Sequence, residues 1–189
     1  VKIPYSCVYH GQLRKERGLF LMIEALKIIK KDIKNIKLNL IGTFSYKSEK
    51  NKAYDLINSY DLNKNINISS QIPHSMIANI ISENMLGLIP LFDIKKFRRN
   101  LPMKIFEYNA CKLPIVSSAL PPSKNHINNI QCGICVPPNS VLSLAEGIKN
   151  LFNNKKIYNR FRDNGYNAYL RNMQWEFQEE SLFKIYTNL

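Results

Sequence analysis

The chain has 189 residues, 45% of them hydrophobic, which is enough for one domain with a real core and argues for a globular class over a disordered one. Its net charge of +13 points to an anionic partner: nucleic acid, an anionic membrane surface or a phosphorylated ligand. The cations are scattered, with small clusters at 14–17, 27–37 and 95–99, and no RNA-binding signature or basic helix-turn-helix accompanies them, so nucleic acid is set aside. Contact with an anionic membrane surface is preferred to it. The abundance of Lys, Asn and Ile also fits the codon bias of an AT-rich genome.

No apolar run reaches the length of a membrane span and no signal segment is present. A cytoplasmic location is expected, with peripheral contact at the inner membrane face. The sequence opens at Val1 in a strand-like run, which suggests a piece of a longer protein. Cys132 and Cys135 form a C-x-x-C, a spacing found in redox pairs and half zinc sites. With no second such pair, they read better as small apolar residues of a reduced core, and no metal is expected.

In chain order, Tyr5–Tyr9 reads as a buried first strand ended by His10 and Gly11. A polar turn over 12–18 follows, then a helix with Leu19, Ile23, Leu26 and Ile29 in phase. A strand, a glycine turn and a helix together offer backbone N–H groups to a phosphate, although the glycines are too few for a dinucleotide fingerprint. A second strand over 36–42 ends in Gly42. A helix over 50–62 has Ala53, Leu56, Ile57 and Tyr60 inward. A third strand over 66–72 is stopped by Pro73. A short helix over 75–83 follows, with His74 as a surface turn residue. A fourth strand spans 86–92, and a basic loop over 93–100 comes next.

The stretch from Asn100 to Ser118 reads as loop, short helix and buried strand. Asn100 is placed to cap the helix, Pro102 to open it, and Met103, Ile105, Phe106 and Ala110 to form its apolar face. Lys104 and Glu107, three apart, share one helix face. A helix tip suits phosphate, and a carboxylate one turn in accepts hydrogen bonds from a ribose. The alternative is an ordinary Glu–Lys pair on a solvated face.

A breaker over 119–123 and a short segment near 125–129 lead to a sixth strand over 133–136. His126 reads as a surface residue. Helices over 140–152, 155–170 and 175–186 close the chain, the first with Leu142, Leu144, Ile148 and Leu151 inward. Alternation throughout predicts an α/β fold: a Rossmann-like, doubly wound parallel sheet of about six strands. Gly11, Gly42, Ile72 and the Asn100 loop all fall at strand ends, where such sheets bind ligands.

The stretch PMKIFEYNACKLPIVSS resembles the donor-site motif of the retaining glycosyltransferase family four, whose members have the GT-B fold. Pro102, Lys104, Glu107, Tyr108, Ala110, Pro114, Val116 and Ser118 match. Lys112 stands where the family has Gly, and Arg99 stands where many members carry the Glu that touches the donor sugar. The opening turn is similar as well, with Gly11, Leu13, Arg17, Gly18, Ile23, Ala25 and Leu26 matching, whereas Gln12 replaces a usual Arg. The segment over 133–139 resembles the family's G-x-x-V-P-P-x-D, with Asn139 near the Asp position.

The resemblance implies that the whole of 1–189 is a single donor-binding domain, the C-terminal half of a GT-B glycosyltransferase. The helix over 171–189 would dock toward a missing N-terminal acceptor domain. Arg17 and the amides at Met103 and Lys104 would hold the diphosphate, Glu107 the ribose, and Gly42 and Ile72 the base. Gly11, Gln12, Asn100 and Leu101 would complete the nucleotide contacts. A UDP- or GDP-linked sugar is the implied substrate, with no cofactor and a glycan or lipid-linked acceptor. The rivals are a nucleotide-sugar epimerase of the same fold and a catalytically silent nucleotide-binding module.

Overall fold

The structure, a computed structural model, describes residues 1–70 and 72–187. Six strands, β1 (Ser6–His10), β2 (Lys37–Ile41), β3 (Ile66–Ser69), β4 (Leu86–Ile89), β5 (Ile115–Ser118) and β6 (Gly133–Val136), form one sheet in the order β3-β2-β1-β4-β5-β6. Every pairing is parallel. The helices are α1 (Leu19–Ile29), α2 (Lys47–Ser59), α3 (His74–Ser82), α4 (Lys104–Ala110), α5 (Pro121–Ile130), α6 (Val141–Asn153), α7 (Lys155–Asn172) and α8 (Trp175–Thr187). The expected doubly wound architecture is present.

Burial explains the sequence pattern. All residues of β1, β4 and β5 are buried, as strands covered on both faces require, so they read as apolar runs rather than alternations. One core layer gathers Leu19, Ile23, Leu26 and Ile29 of α1 with Leu144, Ile148 and Leu151 of α6. The other gathers Val8, Ile89, Ile105, Tyr108 and Ile127 beneath α4 and α5. Burying a side chain of this size contributes about 1.5–3 kcal/mol.

Several local expectations are corrected. Asn100 does not cap α4: the helix starts later, with Met103 at the N-cap and no side-chain cap bond. Pro102 precedes the helix, and its carbonyl accepts the Ile105 N–H at 3.1 Å. Met103 points outward at 69% exposure, so it is not part of the apolar face. Leu142, expected inward, is exposed, because the face α6 gives to the core with α1 is that of Leu144, Ile148 and Leu151. The Pro121-Pro122 pair does not break the chain. It opens α5, where a missing N–H costs nothing. His126 is half-buried against Phe106, with ring centroids 5.3 Å apart. The third strand stops at Ser69, leaving Ile72 in the following loop, and Gln71 of the expected strand lies outside the described residues.

Lys112 takes the left-handed conformation its motif position demands, with φ 57°. The four cysteines are free, with Cys7 and Cys132 buried. No helix among the described residues is long and apolar enough to cross a membrane.

Candidate functional site

The site is built at the carboxyl ends of β1, β2 and β4. As β1 ends, Gly11 turns with φ 121°, and as β2 ends, Gly42 turns with φ 151°. The two turns are in backbone contact: the Gly11 N–H bonds the Ile41 carbonyl at 2.8 Å, and a Cβ on Gly42 would stand 1.8 Å from the Gly11 oxygen. Only glycine allows both the approach and the dihedral. The floor above the strands is therefore bare backbone.

The β1–α1 connection continues through a single 3-10 turn, Lys15–Arg17, and is tied to the loop after β4 by the Phe92 N–H on the Glu16 carbonyl at 2.9 Å. This brings the Arg17 guanidinium over the Phe97 ring, 5.8 Å from its centroid. Across the gap, α4 is pressed onto the sheet because β4 carries Gly87. The Tyr108 ring fills the space a side chain there would take, and a Cβ would come within 2.3 Å of it. Tyr108 seats α4 on β4, and Lys104, one turn before it on the same side of the helix, lines the cleft at the strand ends together with Glu107.

Two cavities result. One, of about 260 Å³, is lined by Tyr9, Arg17, Asn100, Met103, Lys104 and Glu107 among others. The other, of about 400 Å³, is lined by Gly11, Gln12, Gly42, Ile72, Ile77 and Glu107 among others. His10 and Glu107 line both. Arg17 and Glu107 therefore share a cleft. Of the residues singled out in the sequence, only Leu101 is not brought to a wall, because its side chain packs into the core beneath α4.

The electrostatics are those of an anion site. The Lys104 ammonium lies against Gly11 and faces the Tyr9 ring, 5.2 Å from its centroid. Burial, aided by the Arg17 charge and only partly opposed by Glu107, pushes its pKa down to about 8. Burial drives the Tyr9 phenol up to about 12 against the pull of Arg17, and its OH donates to the Gln12 carbonyl at 2.9 Å. Neither Arg17 nor Lys104 is ion-paired among the described residues. The first turn of α4 adds its Met103 and Lys104 amides, which have no preceding helical carbonyl to bond.

His10 was missed by the sequence reading, which took it as the end of a strand. It is 8% exposed, and its Nε2 stands 2.8 Å from Glu107 Oε2. Its position, last in a buried strand and directly before the Gly turn, was the available signal.

The six-stranded doubly wound parallel sheet is typical of a glycosyltransferase domain of the GT-B fold. The chain belongs to the glycosyl transferases group 1 family, whose model matches residues 4–168. A search of curated protein sequences returns no match. Among solved structures, the chain is similar to Anabaena HepE in complex with UDP and glucose, at TM-score 0.86 and 13% identity, covering 98% of this chain and 49% of that one. It is similar to a glycosyltransferase from Rickettsia africae at TM-score 0.83 and 19% identity, covering 100% and 48%. It is also similar to the C-terminal domain of the Francisella tularensis group 1 protein LpcC at TM-score 0.74 and 19% identity, covering 87% and 85%. The chain thus spans about half the length of the first two.

Proposed function

We propose that this chain is the donor-binding half of a retaining glycosyltransferase of family four, which moves a sugar from a nucleoside diphosphate sugar to a glycan or lipid-linked acceptor. The observation that carries this reading is the pair of cavities joined at Glu107, one walled by Arg17 and Lys104 and the other by glycine backbone and Ile72. A nucleoside diphosphate has the same division. Its diphosphate lies against the two cations, its ribose hydroxyls donate to Glu107, and its base lies over Gly42 beside Ile72. HepE, of the same fold, has been solved with UDP, which supports the substrate class.

In the reaction, charge builds on the leaving diphosphate. Arg17 and Lys104, already desolvated in place, stabilise that charge without reorganising, the most effective form of electrostatic catalysis. A retaining transfer assisted by the leaving phosphate needs no general base from this chain.

The acceptor half belongs to the longer protein, in keeping with the half-length coverage of HepE and the Rickettsia enzyme. The exposed Trp175, Phe183, Ile185 and Tyr186 of α8 form the face that meets it. The positive charge favours peripheral binding at the cytoplasmic face of an anionic membrane.

Calorimetric titration with UDP and GDP tests the site. Wild type binds one of them, and Glu107→Gln binds it roughly tenfold more weakly at an unchanged thermal midpoint, the effect of losing a charge-assisted hydrogen bond. Equal binding by the variant overturns the ribose role. Product analysis with the longer protein separates transfer from epimerisation of the donor.

A further inference from the structure

Next to the cavity that holds Arg17 and Lys104 lies a third, of about 160 Å³, walled by Arg14, Glu16, Arg17, Lys96 and Phe97 among others. Arg17 and Phe97 line both, so the two chambers share a wall. The third chamber is strongly cationic. Its one acid, Glu16, pairs with Arg14, Oε2 standing 3.4 Å from Nε, and Arg14 also donates to the Tyr46 hydroxyl at 3.5 Å, so the unpaired charge of the chamber is that of Arg17 and Lys96. The other carboxylates around the mouth are engaged too: Asp93 accepts the Arg98 guanidinium at 2.8 Å, and Glu49 accepts the Lys15 N–H at 2.8 Å. Lys96 and Arg17 have no ion pair among the described residues.

A diphosphate set against Arg17 and Lys104 would adjoin this chamber through the shared wall of Arg17 and Phe97, with Lys96 on its far side. A neutral sugar presents hydroxyls that call for acceptors, and this chamber offers cations. A carboxylate matches it, through charge-assisted hydrogen bonds to guanidinium and ammonium. We infer that the donor sugar is itself acidic: a nucleoside diphosphate uronic acid whose carboxylate enters the chamber between Arg14, Arg17 and Lys96. This rests on the donor-binding reading above and adds to it the class of sugar.

The test is calorimetric titration of the chain with UDP, UDP-glucose and UDP-glucuronate, and with GDP, GDP-mannose and GDP-mannuronate. In the series whose parent diphosphate binds, the acidic sugar binds about tenfold tighter than the neutral one, and added salt narrows the gap. Lys96→Gln and Arg14→Gln remove that gain and leave binding of the parent diphosphate unchanged. Equal binding of neutral and acidic sugars overturns the inference while the donor reading stands. Failure of both parent diphosphates overturns the donor reading and this inference with it. If the acidic sugar shows no gain, and inorganic phosphate binds the nucleotide-saturated chain in a Lys96-dependent way, the chamber serves an anion on the acceptor and the donor assignment falls.

Discussion

His10 Nε2 and Glu107 Oε2 meet at 2.8 Å across the boundary between the two cavities of the cleft. The contact holds one oxygen of a carboxylate that stands on a seven-residue helix and is 31% exposed at the wall of the cleft. His10→Leu therefore weakens binding of the nucleoside diphosphate several-fold, whereas His10→Asn, which keeps a donor, recovers part of the loss. The loss disappears when the ligand is the 2′,3′-dideoxy nucleotide, because the residue acts through the ribose contact. Equal loss with both ligands, read by calorimetry, would refute that role.

Lys104 gives the site a pH dependence of known sign. Its pKa of about 8 in the folded chain lies below the ordinary value of 10.5, so between those values the unfolded chain holds the proton and the folded chain does not. Stability then rises with pH across that window. Below it the buried charge is a net cost, and Lys104→Met is more stable than wild type at pH 7, on the order of 2 kcal/mol. Lys2, lowered to about 8 as well, adds to the wild-type slope, so the difference between the two proteins isolates Lys104. Diphosphate affinity runs the other way: it is flat below about pH 7 and falls above pH 8 as the ammonium is lost. Urea titrations and ligand titrations across pH 6 to 10 check both.

Gly42→Ala breaks the floor of the site. The added Cβ would sit 1.8 Å from the Gly11 oxygen, and φ 151° strains any side chain. A loss above about 2 kcal/mol is expected, together with loss of nucleotide binding. A wild-type midpoint in thermal denaturation would contradict the stacked-turn geometry.

The thiols are protected by burial. It lifts Cys132 to about 12 and Cys135 to about 11, and it raises Cys7 and Cys111 as well. A disulfide-exchange reagent at pH 8 should label the native chain far more slowly than the chain in urea. Rapid native labelling of the Cys132–Cys135 pair would point to a redox role.

Lys112→Gly relieves a left-handed residue at φ 57°. The variant should gain up to about 1 kcal/mol in chemical denaturation, with nucleotide binding unchanged.

The order of strands and helices was legible because the strands are short, largely apolar runs bounded by turn residues and the helices between them carry apolar stripes. The places of Gly11, Gly42, Arg17 and Glu107 at the cleft were legible because each stands at a fixed distance from a strand end and brings backbone freedom or charge there. The start of α4 was not. Asn100 and Pro102 look like a cap and a first helical residue, but the Tyr108 ring has to reach Gly87, and that long-range fit delays the helix to Lys104. The outward turn of Leu142 likewise depends on which face α6 gives to α1. His10 escaped notice because its partner is on another element, far along the chain.

The all-parallel sheet also governs how the chain reaches its native state. No two neighbouring strands can be joined by a tight hairpin: Ser6 must find Lys37, and Cys7 must find Leu86, before the central strand has either neighbour. Loop closure is completed before those pairings return any energy, so folding is slow and the unpaired edge of β1 stays open to other chains meanwhile. Refolding yield should therefore fall as protein concentration rises, even where the finished molecule is stable.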